Sequence, residues 1–552
     1  ELSGGMITHI LDSLNQKTSI NVISMHHEQS AAFAAEGFAR MKGIPGIALA
    51  TSGPGATNLL TGIGSCYFDS VPCIFITGQV NRHELKLERN IRQLGFQETD
   101  IISMAKPITK ACFQINDPDE LPNIFELSFK IATSGRPGPV LIDIPMDIQR
   151  SNIEQSLNIK SSYESNISNK ETILSLIHDI SLAKKPLILA GRGIRAGNSL
   201  SLFNEFVKTT NLPVVTSLLG LDVISYDDPQ RVGFIGSYGN RWANITLGQC
   251  DLLIVLGARL DIRQTGADTS YFENRKIYHV DCEIDEINNR IKNCISIVSD
   301  LKYFFKEFSI ASFGTEFELN PEWFNFILEE KVKWPDIKEL ETLGINPNVF
   351  MHLLSINSTK ASAYLADVGS HQMWAAQSLE IGIHQQFLTS GGMGAMGFSL
   401  PASIGACFAV NKSPVIVIIG DGCMQINIQE LQTISRNNLP IKIIVFNNES
   451  LGMIRQFQDS YFDSRYQSTY WGYSAPNFEK IAIAYGISAK TISEPAEVLN
   501  AINWLWESDN EHIPQLLQVM INPKTNTYPK LAFGRPITEM EPFVKPIDME
   551  GT

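Results

Sequence analysis

PVIVIIGDGCMQINIQELQTISRNNLPIKIIVFNNESLG, residues 414–452, places a β-branched run before a Gly-Asp-Gly turn, then a stretch of helical periodicity, then a second β-branched run ending in Asn447-Asn448. The spacing predicts a strand, a helix over Gln425–Asn437, and a strand entered through the Leu439-Pro440 break, which together make one βαβ unit. Two apolar parallel strands need cover on both faces, and such sheets receive ligands beyond the carboxyl ends of their strands, where Asp421 and Asn448 both fall. Asp421 offers a carboxylate oxygen, Asn448 an amide oxygen, and a backbone carbonyl near Ser450 adds a third. A hard octahedral ion such as Mg²⁺ takes such ligands and leaves room for phosphate oxygens. Singly, an Asp in a tight turn or an Asn pair closing a strand is ordinary local structure. The two at this distance, with strand, helix and strand between them, point to a metal-held phosphate.

Working outward, 552 residues are too many for one core and suggest about three domains. A net charge of −14 would be repelled by nucleic acid and by an anionic membrane surface, so neither is expected as a partner. The apolar runs, such as DLLIVLGA, fall far short of the ~18 residues of a membrane span. Eight cysteines lie scattered without a Cys-x-x-Cys pair, and they read as reduced core residues of a cytoplasmic protein. The opening Glu1-Leu2-Ser3-Gly4-Gly5 reads as the end of a strand, so further residues are expected upstream.

Residues 1–155 alternate strand and helix: INVISM, EQSAAFAAEGFARMKG, GIALATSG, a Gly-rich turn at Gly53-Pro54-Gly55, then VPCIFITG. This is a doubly wound parallel α/β pattern. Glu28 opens its first long helix, where the helix dipole favours a carboxylate. The polar run 151–172 reads as a linker. A second α/β domain follows over 173–312, with the turn Gly191-Arg192-Gly193 after KPLILA and the run GARLDIRQTG. The arginine forks of that run, Arg259 and Arg263, fit diphosphate oxygens bidentately. The region 313–345 reads as helix and crossover. A third α/β domain spans 346–525, with LTSGGMGAMGFSLP before the opening stretch, and 526–552 is a C-terminal tail.

Gly420-Asp421-Gly422 followed by Asn447-Asn448 resembles the thiamine diphosphate (ThDP) motif of the ThDP-dependent enzymes. The run from Glu28 through GPGATN resembles the acetolactate synthase group of flavoproteins, and the resemblance covers nearly the whole chain. It implies three doubly wound parallel-sheet domains: pyrimidine-binding, middle FAD-binding and diphosphate-binding. It also implies ThDP, Mg²⁺ and FAD as cofactors, and a homodimer or homotetramer with active sites between subunits. On this resemblance Asp421, Asn448 and Ser450 hold the metal. Gly394, Met396, Gly420, Gly422 and Met453 line the ThDP site, with Met396 propping the cofactor's bent form. Gly191, Gly193, Gly236, Arg259, Arg263 and Asp281 meet FAD. Glu28 bonds the aminopyrimidine and assists removal of the thiazolium C2 proton, while Gly5, Phe96 and Gln97 are the other active-site pieces, Gln97 as a donor to substrate oxygen.

The implied donor is pyruvate, which passes a two-carbon unit to a carbonyl acceptor. Phe457, Asp261-Ile262-Arg263, Gly236-Ser237-Tyr238-Gly239 and the long loop carrying Arg82 depart from the synthase pattern. They lean the reading towards the carboligases of branched-chain deoxysugar pathways, whose acceptor is a nucleotide-linked keto-sugar, with Phe457 and Arg82 in the acceptor pocket. Acetolactate synthase itself, joining two pyruvates, is the alternative, and a redox flavoenzyme of the pyruvate oxidase kind is a further one.

Overall fold

The computed structural model describes residues 1–17, 19–153, 169–318, 320–547 and 549, and most of the expected linker lies outside them. The β-branched runs assemble three parallel sheets. The first comprises β1 (Gly46–Ala50), β2 (Cys73–Gln79), β3 (Ala111–Gln114) and β4 (Pro139–Pro145), in the order β1-β2-β4-β3. The second comprises β5 (Pro186–Ala190), β6 (Val214–Thr216), β7 (Arg231–Phe234), β8 (Leu252–Leu256), β9 (Lys276–Asp281) and β10 (Ile295–Val298), in the order β10-β9-β8-β5-β6-β7. The third comprises β11 (Ala363–Ala366), β12 (Gln386–Leu388), β13 (Val415–Gly420), β14 (Ile441–Asn447), β15 (Ser488–Ile492) and β16 (Gln515–Met520), in the order β12-β11-β13-β14-β16-β15.

The quoted stretch lies at the centre of the third sheet. Its two strands pair in parallel from Val415 opposite Ile441 to Gly420 opposite Phe446, and every residue of both is buried. The helix expected over Gln425–Asn437 is instead two, Asp421–Ile426 and Glu430–Arg436. Asn427 breaks it, because its side chain bonds outside the helix: it accepts from the Ser30 hydroxyl at 3.1 Å and donates to the Gly397 carbonyl at 2.8 Å. INVISM is no strand either. It follows only Glu1, whose amino group donates to the Ile23 carbonyl at 2.8 Å and whose carbonyl accepts from Met25 at 2.8 Å. Leu2 in turn makes one bridge to Ala50.

The first and third domains share one core. Helix Glu28–Lys42 packs on helix Ser399–Ala409, with Phe33 and Phe398 edge to face at 5.4 Å. Small residues make the approach possible, since a Cβ at Gly37 would overlap the Ala402 carbonyl and one at Gly405 the Ala34 carbonyl. Gly405→Ala is therefore expected to cost about 1–3 kcal/mol by overpacking, read as a lower denaturant midpoint. An unchanged midpoint would mean the helices part without penalty.

The tail does not hang free. Strands β17 (Lys530–Leu531) and β18 (Met540–Glu541) form an antiparallel pair. Leu531 donates to the Ser237 carbonyl at 2.7 Å. Arg241 bonds the Glu339 carboxylate at 2.6 and 2.7 Å and the carbonyls of Met540 and Glu541 at 3.1 and 3.0 Å. At its near end, Gln456 and Thr527 exchange hydrogen bonds at 3.0 and 2.8 Å. The tail thus joins helix Gly452–Tyr461 of the third domain to the middle domain. All eight cysteines are free thiols; six are buried, but Cys282 is exposed and Cys112 half-buried, against the expectation of core residues throughout. Among the described residues no helix is long and apolar enough to cross a membrane.

Candidate active site

A cavity of about 490 Å³ opens between the carboxyl ends of the second and third sheets. Its third-domain lobe is built by the strand ends. β13 stops at Gly420, and Asp421 begins the next helix; β14 stops at Asn447, and Asn448 follows. Asp421, Asn448 and Ser450 all line the cavity and are buried. Asp421 Oδ1 accepts from the Gly422 N–H at 2.8 Å, whereas Oδ2 is buried without a partner, as is the Ser450 hydroxyl. Burial pushes the Asp421 carboxyl up to about 6, against the Gly422 hydrogen bond and the nearby Tyr473 hydroxyl and backbone of Glu449 and Ser450, which favour its charged form. A buried carboxylate oxygen left unpaired beside an amide oxygen suits a hard cation, so the residues present fit Mg²⁺.

Gly394, Met396, Gly420, Gly422 and Met453 line the same lobe. A Cβ at Gly422 would lie 2.7 Å from Leu451 Cδ2 and 3.4 Å from Met396 Cε, so the methionine stands over the turn that carries Asp421. Three further residues were not singled out from the sequence. The Asp367 carboxylate accepts from the backbone of Gly397 and Ser399 at 2.9 and 2.7 Å and from the Ser399 hydroxyl at 2.8 Å. The Cys423 thiol donates to the Val368 carbonyl at 3.0 Å, and His371 Nε2 accepts from Gly420 at 3.2 Å. Burial holds His371 neutral, with its pKa lowered to about 3. These three lie close enough together to suggest a metal cluster, but Asp367 and His371 spend their polar atoms on the loops that bear Met396 and Asp421, and Cys423 spends its thiol on the Val368 carbonyl after β11, so the trio is a brace. No local pattern in the sequence marks its members, because the contacts run between strand ends.

The middle-domain lobe contains Gly193, Arg259, Arg263 and Asp281, together with Arg192. Gly191 is packed behind it, where a Cβ would meet Ala258 at 2.6 Å. Gly236 adopts φ +114° under the Arg263 carbonyl, which accepts from Ser237 at 2.7 Å. Asp281 ends β9, with burial raising its carboxyl pKa.

The remaining predicted residues do not line this cavity. Glu28 is 7% exposed at the start of its helix; its carboxylate accepts from Asn58 at 2.9 Å, and Gly55 leaves it room, since a Cβ there would be 3.2 Å away. Gln97 has φ +65° and packs on Gly53, while Phe96 beside it is 78% exposed. Gly5 starts a short 3₁₀ turn with open space at its Cα. Arg82 is taken up by Asp147 at 2.7 Å and the Asn116 carbonyl at 2.5 Å, and Phe457 packs against Tyr461 and Phe462 at 4.8 and 5.7 Å.

Three family descriptions match the chain in order: thiamine pyrophosphate enzyme, N-terminal TPP binding domain, over residues 1–104; central domain, over 173–308; and C-terminal TPP binding domain, over 367–519. The acetolactate synthase large subunit of Lactococcus lactis is 34% identical over 542 residues, which is 97% of this chain and 92% of the relative. The probable acetolactate synthase large subunit of Methanocaldococcus jannaschii is 36% identical over 564 residues, covering 99% and 92%. The chloroplastic acetolactate synthase of Arabidopsis thaliana is 36% identical over 552 residues, covering 96% and 80%.

Proposed function

The chain belongs to the thiamine pyrophosphate enzyme family, as an acetolactate synthase-like carboligase, and from that premise we propose that it is an acetolactate synthase, joining two pyruvates and one proton into 2-acetolactate and CO₂. The observation that carries this reading is similarity over nearly the whole chain to relatives bearing that name, with the oxygen ligands Asp421 and Asn448 brought to one cavity. The lean towards a keto-sugar acceptor gives way to this alternative. The relatives that match throughout do not support it, and Arg82, offered for an acceptor phosphate, is held by Asp147.

Thiamine diphosphate, when bound, supplies the electron sink for decarboxylation of a 2-oxo acid. Asp421, Asn448 and the carbonyl near Ser450 would hold Mg²⁺ and through it the diphosphate, with Gly420 and Gly422 admitting the backbone closely. Met396 would shape the floor of the site, and Gly193, Gly236, Arg259, Arg263 and Asp281 would hold FAD in the other lobe. Glu28, with Gly5, Phe96 and Gln97, lies on a face of the first domain that this chain does not turn towards its own cavity, which favours a homodimer in which a second copy presents Glu28.

The reading is tested by incubating the protein with ThDP, Mg²⁺, FAD and pyruvate alone. Acetolactate is expected at half the rate of pyruvate loss. Acetaldehyde as the main product would remove the synthase reading, and bleaching of flavin in step with turnover, reversed by oxygen, would replace it with the oxidase. Asp421→Ala should weaken Mg²⁺-dependent ThDP binding by about 100-fold, on the scale of lost charged hydrogen bonds and metal ligation; unaltered binding in equilibrium dialysis would take Asp421 out of the metal site.

A further inference from the structure

The turn Gly191-Arg192-Gly193 follows β5 at the point where the order of the second sheet reverses, with β8 alongside. Here Gly193 meets the turn after β8, where an added Cβ would lie 2.7 Å from Gly257 Cα, so the two loops touch and Arg192 borders the cavity. Among the described residues its guanidinium has no hydrogen bond or ion pair, and its Nε is buried without a partner. Three neighbouring arginines differ in this respect, while Arg263, also at the cavity, is exposed and has no side-chain hydrogen bond or ion pair among the described residues. Arg195 pairs with Asp222 at 2.9 Å, Arg136 with Glu283 at 2.9 Å and Arg259 with Asp261 at 3.1 Å.

The carboxylates close enough to influence Arg192 are already engaged. Asp222 also accepts from Phe387 at 3.0 Å, and Asp69 serves Arg40 at 2.6 Å and the N–H groups of Gly391 and Gly392 at 2.9 and 2.6 Å. Burial, with the charge of Arg40, lowers the Arg192 pKa to about 10, which leaves it charged at neutral pH. Arg192 is half-buried at the cavity wall, and a partly desolvated cation without a counter-ion gains from an anion supplied from outside the chain.

We propose that Arg192 is the anion receptor of the middle-domain lobe, taking a phosphate group of a dinucleotide bound in the crevice at the sheet's reversal point. The guanidinium fork matches phosphate oxygens, and ligands of open parallel sheets settle at such a point. The proposal rests on the reading of this lobe as a flavin site and adds to it the means of selection. A ligand with phosphate satisfies Arg192, and the bare isoalloxazine and ribityl chain of riboflavin do not.

The test titrates flavin-free protein with FAD, FMN and riboflavin, following flavin fluorescence, in wild type and Arg192→Gln. The variant is expected to bind FAD and FMN about 10- to 100-fold more weakly, on the scale of charge-assisted hydrogen bonds, with riboflavin unaffected. Equal losses for all three, or none for FAD, would overturn the role. Arg192→Lys keeps the charge without the fork and should fall between; it serves if the glutamine variant does not fold. Inorganic pyrophosphate with EDTA present separates this proposal from the flavin reading. It should raise the melting temperature of wild type more than that of Arg192→Gln. A pyrophosphate response without any flavin binding would keep Arg192 as the receptor and discard the flavin, while FAD binding indifferent to Arg192 would do the reverse.

Discussion

Exchange of the C2 proton of bound thiamine diphosphate against D₂O is expected to slow about 10²- to 10⁴-fold in Glu28→Gln, the usual scale for a lost general acid–base group. Glutamine keeps the shape and can still meet Asn58, so the fold and the cofactor affinity should hold while the exchange rate falls. Fast exchange in the variant would remove Glu28 from proton transfer. The same variant tests the shared site. Glu28→Gln and Asp421→Ala should each be inactive, yet a mixture allowed to exchange subunits has hybrids in which one site carries both lesions and the other neither. Half of the dimers are hybrids with one intact site of two, so activity should return to about a quarter of wild type. No recovery, with hybrids verified by mass, would place both residues in one subunit's site.

The second large effect concerns stability. Arg40 is buried between Glu36 and Asp69, at 2.5 and 2.6 Å, donates to the Thr389 carbonyl at 2.8 Å and lies over the Phe398 ring. Arg40→Met would strand two buried carboxylates, and breaking a buried ion pair from one side costs about 3–5 kcal/mol. Burial already raises the Glu36 pKa. Without the guanidinium the Glu36 carboxyl would titrate further above its unfolded value, so the folded variant would bind more protons than the unfolded chain. Its stability should then recover as pH falls, narrowing the gap to wild type. Because Asp69 also holds Gly391 and Gly392, the variant should bind ThDP less tightly. A small, pH-independent loss in urea unfolding would mean that the pair is replaced by water at little cost.

What could be read from the sequence was what is local. β-branched runs between Gly and Pro breaks mark buried parallel strands, and a βαβ unit places residues at its strand ends whatever surrounds it, so Asp421 and Asn448 are legible as neighbours from the sequence. The split helix was not visible, because Asn427 is helical by pattern and is pulled out by Ser30 and Gly397, far away in the chain. INVISM had the composition of a strand but lacks a partner long enough to pair with. The brace of Asp367, His371 and Cys423 depends on loops meeting in space. Arg192 carries a signal, a charged side chain inside a Gly-x-Gly turn, but that it has no carboxylate partner among the described residues is a property of the fold.

The order in which the chain is made gives the tail a further meaning. Strands β5 to β10 leave the ribosome long before Leu531 and Met540, yet Arg241, already paired with Glu339, completes its hydrogen bonding and the Ser237 carbonyl finds its donor only in those later residues. During synthesis the middle domain therefore waits with an arginine half-served and a backbone carbonyl open. Its closure is a late event that coincides with completion of the third domain, whose helix Gly452–Tyr461 grips the same segment. A nascent chain stalled in between would carry a middle-domain lobe without its clasp.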